Sequence, residues 1–319
     1  MVDLVTVDDV RAAAGDLTGV VLRTPLLPCR WDDRLWLKPE SLQPVGSFKL
    51  RGVTHAVARL DAERRARGVV THSSGNHGQA LAYAARARGV PCTVVIPEGA
   101  TAAKVDQVRA LGAEVRMVAP ADRLPVAEAI AAEQGRTLIP PFDNRRIIAG
   151  QGTIGLEVLA DLPELDVLLV PVGGGGLSSG VATAVKALRP AARVIGVEPA
   201  LAADAAESLR SGELRQWEPA RTYRTSADGL RTNLSALTFA HLRARLDGIV
   251  TVSEEEIAAA TTRLVRDARL VVEPSGAVAT AARMFHAAEL PAGRTVAVVS
   301  GGNVDPAVLA AAAGRPDPG

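Results

Sequence analysis

The chain has 319 residues, 48% hydrophobic and 22% charged. That is the make-up of a folded protein of roughly two domains at about 150 residues each, which excludes disorder and collagen-like structure. Its 36 Lys and Arg against 35 Asp and Glu leave a net charge of +1 with only 3% aromatic residues, so no footprint for nucleic acid, an anionic membrane or base stacking follows. No run reaches the ~18 consecutive apolar residues of a membrane span, acids stand where a signal peptide needs a basic region, and Cys29 and Cys92 make no disulfide framework. A cytoplasmic location, with no nucleic-acid or membrane partner, is expected.

Along the chain, strands are predicted at 68–71, 92–96, 114–118, 167–170, 193–197 and 295–299. Each is bounded by Gly, Pro or Ser, and near-continuous hydrophobicity is what strands buried on both faces show. Amphipathic helices are predicted at 77–88, 101–111, 125–135, 177–188 and 254–269. This alternation means βαβ crossovers and parallel sheets covered by helices, an α/β protein. One sheet is expected from strands in 68–118 and a second from 165–200 and 249–299, with 310–319 a frayed tail.

Four segments carry candidate chemistry. Of the 36 basic residues only Lys38, Lys49, Lys104 and Lys186 are lysine. In a background so biased to Arg, a retained Lys is a candidate for what guanidinium cannot do, nucleophilic amine chemistry. Lys49 stands in Ser47-Phe48-Lys49-Leu50-Arg51-Gly52. Residues 71–79 form a polar strand-to-helix junction whose hydroxyl, amide and helix N–H groups suit a carboxylate or phenolate oxygen, although such residues also serve as plain caps. Ser300-Gly301-Gly302-Asn303 closes the last strand in the same polar manner.

The fourth segment, Gly173 to Gly176, joins a strand to a helix N-terminus. Three readings stay open for it. A dinucleotide fingerprint lacks its third glycine, where Ser178 and Ser179 stand, though Glu198 mimics the ribose-binding acid. A nucleophile elbow matches literally over 176–180, with His241 or His286 and Asp228 as assumed triad partners. A cup for a single phosphate is the most economical. A reactive lysine, a phosphate cup and polar strand ends are the parts that a phosphorylated aldehyde cofactor requires, which points to pyridoxal 5'-phosphate.

Taken together the segments resemble the fold-type-II pyridoxal-phosphate enzymes, within them the serine/threonine dehydratase and serine racemase family. The resemblance runs from about Val7 to Asp305. It is carried by Thr24-Pro25-Leu26, Lys38-Pro39-Glu40, residues 46–52, His72 to Gln79, residues 148–153, the four glycines, Val197-Glu198-Pro199, Ala227-Asp228-Gly229, residues 273–277 and residues 300–303.

The resemblance implies two open parallel-sheet domains of the tryptophan-synthase-β-like kind: a large one from 1–67 and 144–319, and a small one from 68–143. It implies that Lys49 holds the cofactor as a Schiff base and removes the substrate α-proton. Phe48 would pack beside the ring, Gly173, Gly174, Gly175 and Gly176 with the Leu177 backbone would bind the phosphate, Asn76 the ring hydroxyl, and Ser300 the pyridine nitrogen. Ser73, Ser74, Gly75, Asn76 and His77 would hold the substrate carboxylate, Ser74 matching the residue that protonates the opposite face in racemases. Glu198, Ala202 (through its carbonyl) and Asp204 match a divalent-cation site, suiting Mg²⁺ or Ca²⁺.

The implied activity is an L-threonine/L-serine dehydratase acting on a small amino acid, as a homodimer. Serine racemase and hydroxyaspartate ammonia-lyase are the alternatives on the same scaffold; a serine hydrolase and a dinucleotide-binding oxidoreductase are those from other classes. Two departures bear on substrate. Arg123 stands about two positions before the racemase arginine, and the loop between Thr24 and Lys38 is shorter than usual. With no further domain after Asp305, the feedback regulation of longer threonine dehydratases is not expected.

Overall fold

The computed structural model describes residues 3–73 and 75–315; Ser74 and the two chain ends lie outside the described residues, as does the side chain of Ala103. α1 (Val7–Asp16), opened by a capping box of Thr6 and Asp9, leads to β1 (Leu27–Pro28) and β2 (Leu35–Pro39). Then come α2 (Lys49–Ala58), α3 (Ala62–Arg67), β3 (Val69–His72), α4 (Asn76–Ala87), β4 (Cys92–Pro97), α5 (Ala102–Ala110), β5 (Glu114–Val118), α6 (Arg123–Gln134) and β6 (Thr137–Leu138). The chain continues through α7 (Arg145–Asp161), β7 (Val167–Pro171), α8 (Gly176–Leu188), β8 (Arg193–Pro199), α9 (Asp204–Ser211), α10 (Pro219–Thr222), α11 (Ala236–Arg245) and β9 (Gly248–Val252). α12 (Glu254–Arg266), α13 (Pro274–Phe285), β10 (Thr295–Val299) and α14 (Pro306–Gly314) follow.

Among the described residues the strands form two sheets, ordered β1-β2-β10-β7-β8-β9 and β5-β4-β3-β6, with β1 the only antiparallel member. The expected parallel α/β architecture is therefore present. β7 and β10 are buried along their whole length, because helices cover both faces of the larger sheet. Three features differ from the sequence expectation. The larger sheet also takes in β2, whose Lys38 masks a buried strand. β6 joins the smaller sheet beside β3. β5 forms as predicted but at an edge, with Met117 40% exposed, because its Glu-Val-Arg-Met alternation suits a surface strand.

A buried ion cluster fixes α2 against the larger sheet. Arg51 on α2 donates from Nε to Glu40 Oε2 at 2.7 Å and from Nη1 to Glu157 Oε1 at 2.7 Å. Lys38 on β2 donates to Glu157 Oε2 at 2.6 Å and to the Thr24 carbonyl at 2.7 Å. Thr24 Oγ1 completes the set with a 2.7 Å bond to Glu40. Two cations balance two carboxylates, so no charge is left uncompensated in the interior. Replacing Arg51 with Met strands the buried Glu40 carboxylate, while Glu157 keeps Lys38, and is expected to destabilise the protein by about 3–5 kcal/mol in denaturant unfolding. A loss under about 1 kcal/mol, the scale of a surface pair, would show that the cluster does not anchor α2.

Candidate active site

The C-terminal ends of β3, β7 and β10 open toward one cleft, the usual ligand position in open α/β sheets. Residues 45–48 run along the end of β10: Ser47 and Gly301 form an antiparallel bridge, and Phe48 N–H donates to the Ser300 carbonyl at 3.1 Å. That pairing places Lys49, the first residue of α2, next to Ser300. The Lys49 amine donates to the Pro141 carbonyl at 2.9 Å and lies 5.0 Å from the centre of the Phe48 ring. Burial lowers its pKa to about 8, against the opposing pull of the Glu273 carboxylate.

The four-glycine loop reaches the same place through residue 142. A Cβ at Gly174 would stand 2.4 Å from the Phe142 ring, and one at Gly175, whose φ is +83°, would stand 2.7 Å from Leu234. Side chains are excluded, so the backbone N–H groups at the start of α8 line the cradle, where the helix dipole favours an anion. Pro141 holds the lysine and Phe142 packs under the glycines, so amine and anion cup meet across two consecutive residues. Ser300 is 3% exposed, and its hydroxyl donates to the Ser275 carbonyl at 3.3 Å.

From the smaller sheet, the β3–α4 junction supplies Ser73, Gly75, Asn76 and His77; Ser74 lies outside the described residues. Gly75 N–H donates to Ser73 Oγ at 3.3 Å. His77 is 2% exposed with Nε2 2.9 Å from the Ile139 carbonyl, and burial, reinforced by the Lys49 charge, pushes its pKa down to about 3. Its imidazole is thus neutral, with Nε2 engaged by the backbone and Nδ1 buried without a partner.

Two residues that sequence reasoning did not assign complete the cleft. Glu273 accepts from Asn76 Nδ2 at 2.8 Å, and Asn303 Nδ2 donates to Asn76 Oδ1 at 2.6 Å. Burial, then the nearby Asp228, raises Glu273 to about 7. Glu273 stands before Pro274 at the start of α13, yet its side chain makes no capping bond.

Glu198, at the end of β8, and Asp204, the first residue of α9, are both buried. Glu198 accepts from the N–H groups of Ala205 and Ala206, while Asp204 Oδ2 accepts from Leu234 N–H at 3.1 Å. Asp204 Oδ1 has no partner. Burial first, and the neighbouring Asp204 second, raise Glu198 well above its ordinary value; burial raises Asp204 to about 6. Ala202 is buried beside them. Among the described residues no group of three or more His, Cys, Asp or Glu side chains is placed to hold a metal, so any ion here would need the Ala202 carbonyl or water besides the two acids.

The alternative constellations are not assembled. Ser178 is buried in α8 and bonds the Gly175 carbonyl at 3.2 Å. Both His241 nitrogens are engaged by Val5 N–H and the Leu237 carbonyl, and His286 sits between Glu256 and Glu289, so no triad forms at the glycine loop. Glu198 is committed to α9 rather than to a nucleotide ribose.

Residues 17–301 match the model of the family described as pyridoxal-phosphate dependent enzyme. This chain is one of them. It is 40% identical over 308 residues to the L-threo-3-hydroxyaspartate ammonia-lyase of Saccharomyces cerevisiae, covering 94% of each chain. It is 38% identical over 315 residues to serine racemase of Oryza sativa subsp. indica, covering 95% of this chain and 92% of the relative. Among solved structures, the serine racemase of Dictyostelium discoideum superposes with a TM-score of 0.88 at 38% identity, covering 94% of this chain and 99% of that one. The expected fold-type-II architecture is therefore the fold of this enzyme.

With its pKa lowered to about 8, the Lys49 amine is neutral over a range where an exposed lysine is charged, and only the neutral amine attacks an aldehyde. The rate at which cofactor-free protein takes up pyridoxal phosphate is therefore expected to rise with pH and level off above about 8. A rate still climbing toward the ordinary lysine value of about 10.4 would show that burial does not control this amine.

Proposed function

We propose that this enzyme is an L-threonine/L-serine dehydratase, an ammonia-lyase that converts its hydroxy amino acid to a 2-oxo acid and ammonia. The observation that carries the reading is the Lys49 amine, with its lowered pKa, joined through Pro141 and Phe142 to a side-chain-free anion cup. These residues fit pyridoxal phosphate: Lys49 would carry it, Gly173 to Gly176 and the Leu177 N–H would take its phosphate, Phe48 would flank the ring, Asn76 would face the ring oxygen and Ser300 the ring nitrogen. When bound, the cofactor supplies an electron-withdrawing ring that acidifies the Cα–H of an attached amino acid.

The chain's own groups do the rest. Ser73, Gly75, Asn76 and the His77 N–H stand at the start of α4, where the helix dipole favours a substrate carboxylate. Lys49 Nζ is the base for the α-proton, and burial tunes it toward that role. Ser300 offers a neutral hydroxyl to the ring nitrogen, which limits how far the ring withdraws charge and favours prompt loss of the β-hydroxyl over transamination. Ser74 matches the racemase acid, so a racemase activity is the second product of the same reading.

A hydroxyaspartate activity has one supporting observation: Arg123, at the start of α6, lies close enough to His72 to add to the effect of burial in depressing its pKa. A cation there could meet a second carboxylate. We divide the molecule into a large domain (1–67 and 144–319) and a small one (68–143), following the two sheets. A cytoplasmic homodimer belongs to the same reading, supported by the family and by two free thiols. No helix among the described residues is long and apolar enough to cross a membrane.

The purified protein is expected to be yellow, with borohydride fixing the cofactor on Lys49, and Lys49→Ala should lose both colour and turnover. Across L-threonine, L-serine and L-threo-3-hydroxyaspartate, 2-oxo acid release should be fastest with one of the first two. Release confined to hydroxyaspartate, or D-serine as the main product, overturns the dehydratase assignment in favour of a sister activity.

The partnerless Asp204 oxygen beside Glu198 fits a hard cation, so we assign Glu198, Ala202 and Asp204 to Mg²⁺ or Ca²⁺. Millimolar amounts of either ion are expected to raise Tm by about 3 °C or more, and Asp204→Asn should abolish the response. A Tm that ignores both ions would remove the assignment.

A further inference from the structure

Asn76 begins α4 with both ends of its amide engaged. Its Oδ1 accepts from Asn303 Nδ2 at 2.6 Å, and its Nδ2 donates to Glu273 Oε1 at 2.8 Å. The oxygen and nitrogen of an amide are nearly equal in shape, so partners must decide which way the group points. Here one partner has no choice. Asn303 Nδ2 also donates to the Val45 carbonyl at 2.8 Å, and a carbonyl oxygen can only accept. The Asn303 NH₂ therefore faces both Val45 and Asn76. The Asn76 atom it meets is the oxygen, and the Asn76 NH₂ is turned to Glu273. The relay runs one way, ending at the carboxyl of a residue only 5% exposed. At Gly301 an added Cβ would stand 2.4 Å from Glu273 Oε1 and 3.2 Å from Asn76 Nδ2, so glycine there leaves room for the pair.

We propose that Glu273 is a positioning residue: with Asn303, it fixes the polarity of the Asn76 amide so that an N–H, not a carbonyl, is presented to the oxygen of the pyridoxal ring. The inference rests on the assignment of Asn76 to that oxygen. One Nδ2 hydrogen goes to Glu273 and the second is free for the ligand. An N–H bond to a negatively charged oxygen is charge-assisted, whereas a carbonyl in the same place would repel it. A carboxyl accepts through one oxygen whether or not it carries a proton, so the relay keeps its direction in either state of Glu273.

The test reads the absorbance spectrum of the loaded enzyme, after peptide mass analysis of the borohydride-reduced protein has placed the cofactor on Lys49. Glu273→Leu, which has no acceptor, is expected to lower the ratio of the visible to the ultraviolet cofactor band at least about twofold. Its kcat should fall about ten- to hundredfold with KM within about threefold, the signature of one lost hydrogen bond to a charged group. Glu273→Gln keeps an acceptor oxygen and should restore the band ratio. Asn303→Asp cannot donate to Val45 and should reproduce the Leu spectrum, which also covers the case of a Leu variant that does not fold. A wild-type spectrum in either disruptive variant, or a Gln variant as altered as the Leu variant, overturns the proposal. Failure of borohydride to label Lys49 in the wild-type enzyme sinks the cofactor assignment instead.

Discussion

Lys49 stands in a buried cleft with a backbone carbonyl, Pro141 at 2.9 Å, as its hydrogen-bond partner. Burial disfavours its charged form, and the carboxylate whose field reaches it, Glu273, is engaged with Asn76. Lys38 shows what the same side chain does under the opposite condition. It too is buried, but Glu157 lies 2.6 Å from its nitrogen, and the pair is locked into a four-charge cluster. Burial lowers the Lys38 pKa as well, but there Glu157 and then Glu40 pull the other way, so that amine is held in an ion pair, while the Lys49 amine, bonded to a carbonyl, can lose its proton and become a nucleophile. The rest of the cleft depends on that difference.

The two lysines are linked through α2. Arg51, one helical half-turn beyond Lys49, is the member of the ion cluster that belongs to the same helix. The start of the helix is pinned separately, by Phe48 N–H on the Ser300 carbonyl and by the Ser47–Gly301 bridge. The amine is therefore carried by a segment held on its core side by charge pairing and on its cleft side by backbone bonding to β10. Since β10 is hydrogen-bonded to β7, the loops after these two strands bring Ser300 and the four glycines together without any long-range search by flexible chain.

Most of this was legible in the sequence, and for identifiable reasons. A scarce lysine in an Arg-rich chain, four consecutive glycines and polar strand ends are local signals: the glycines join β7 to α8, and the polar segments follow β3 and β10. β2 was missed because Lys38 breaks its hydrophobic run, and only the distant Glu157 explains a buried lysine there. β5 pairs with β4 alone, and the edge position agrees with the charged and exposed residues that alternate along it. Glu273 and Asn303 meet Asn76 across sequence separations of 197 and 227 residues, contacts that no local pattern encodes.

The division of labour between the sheets bears on why relatives about 40% identical carry the names of different reactions. The groups assigned to the cofactor come mainly from the loops after β7 and β10 and from α2, whereas those assigned to the substrate come from the β3–α4 junction and its neighbours in the smaller sheet. The two halves touch through Asn76 with the buried Glu273 and with Asn303, and through Lys104 with Asp228, a solvent-exposed pair at 3.9 Å. An exposed pair at that distance contributes little stability. The pair with Glu273 is different, because breaking it would strand a polar group in the interior. On the site assignments proposed above, changes on the small-sheet side other than at Asn76 would alter which amino acid is admitted, while Asn76 stays bonded to Glu273 and Asn303 of the larger half.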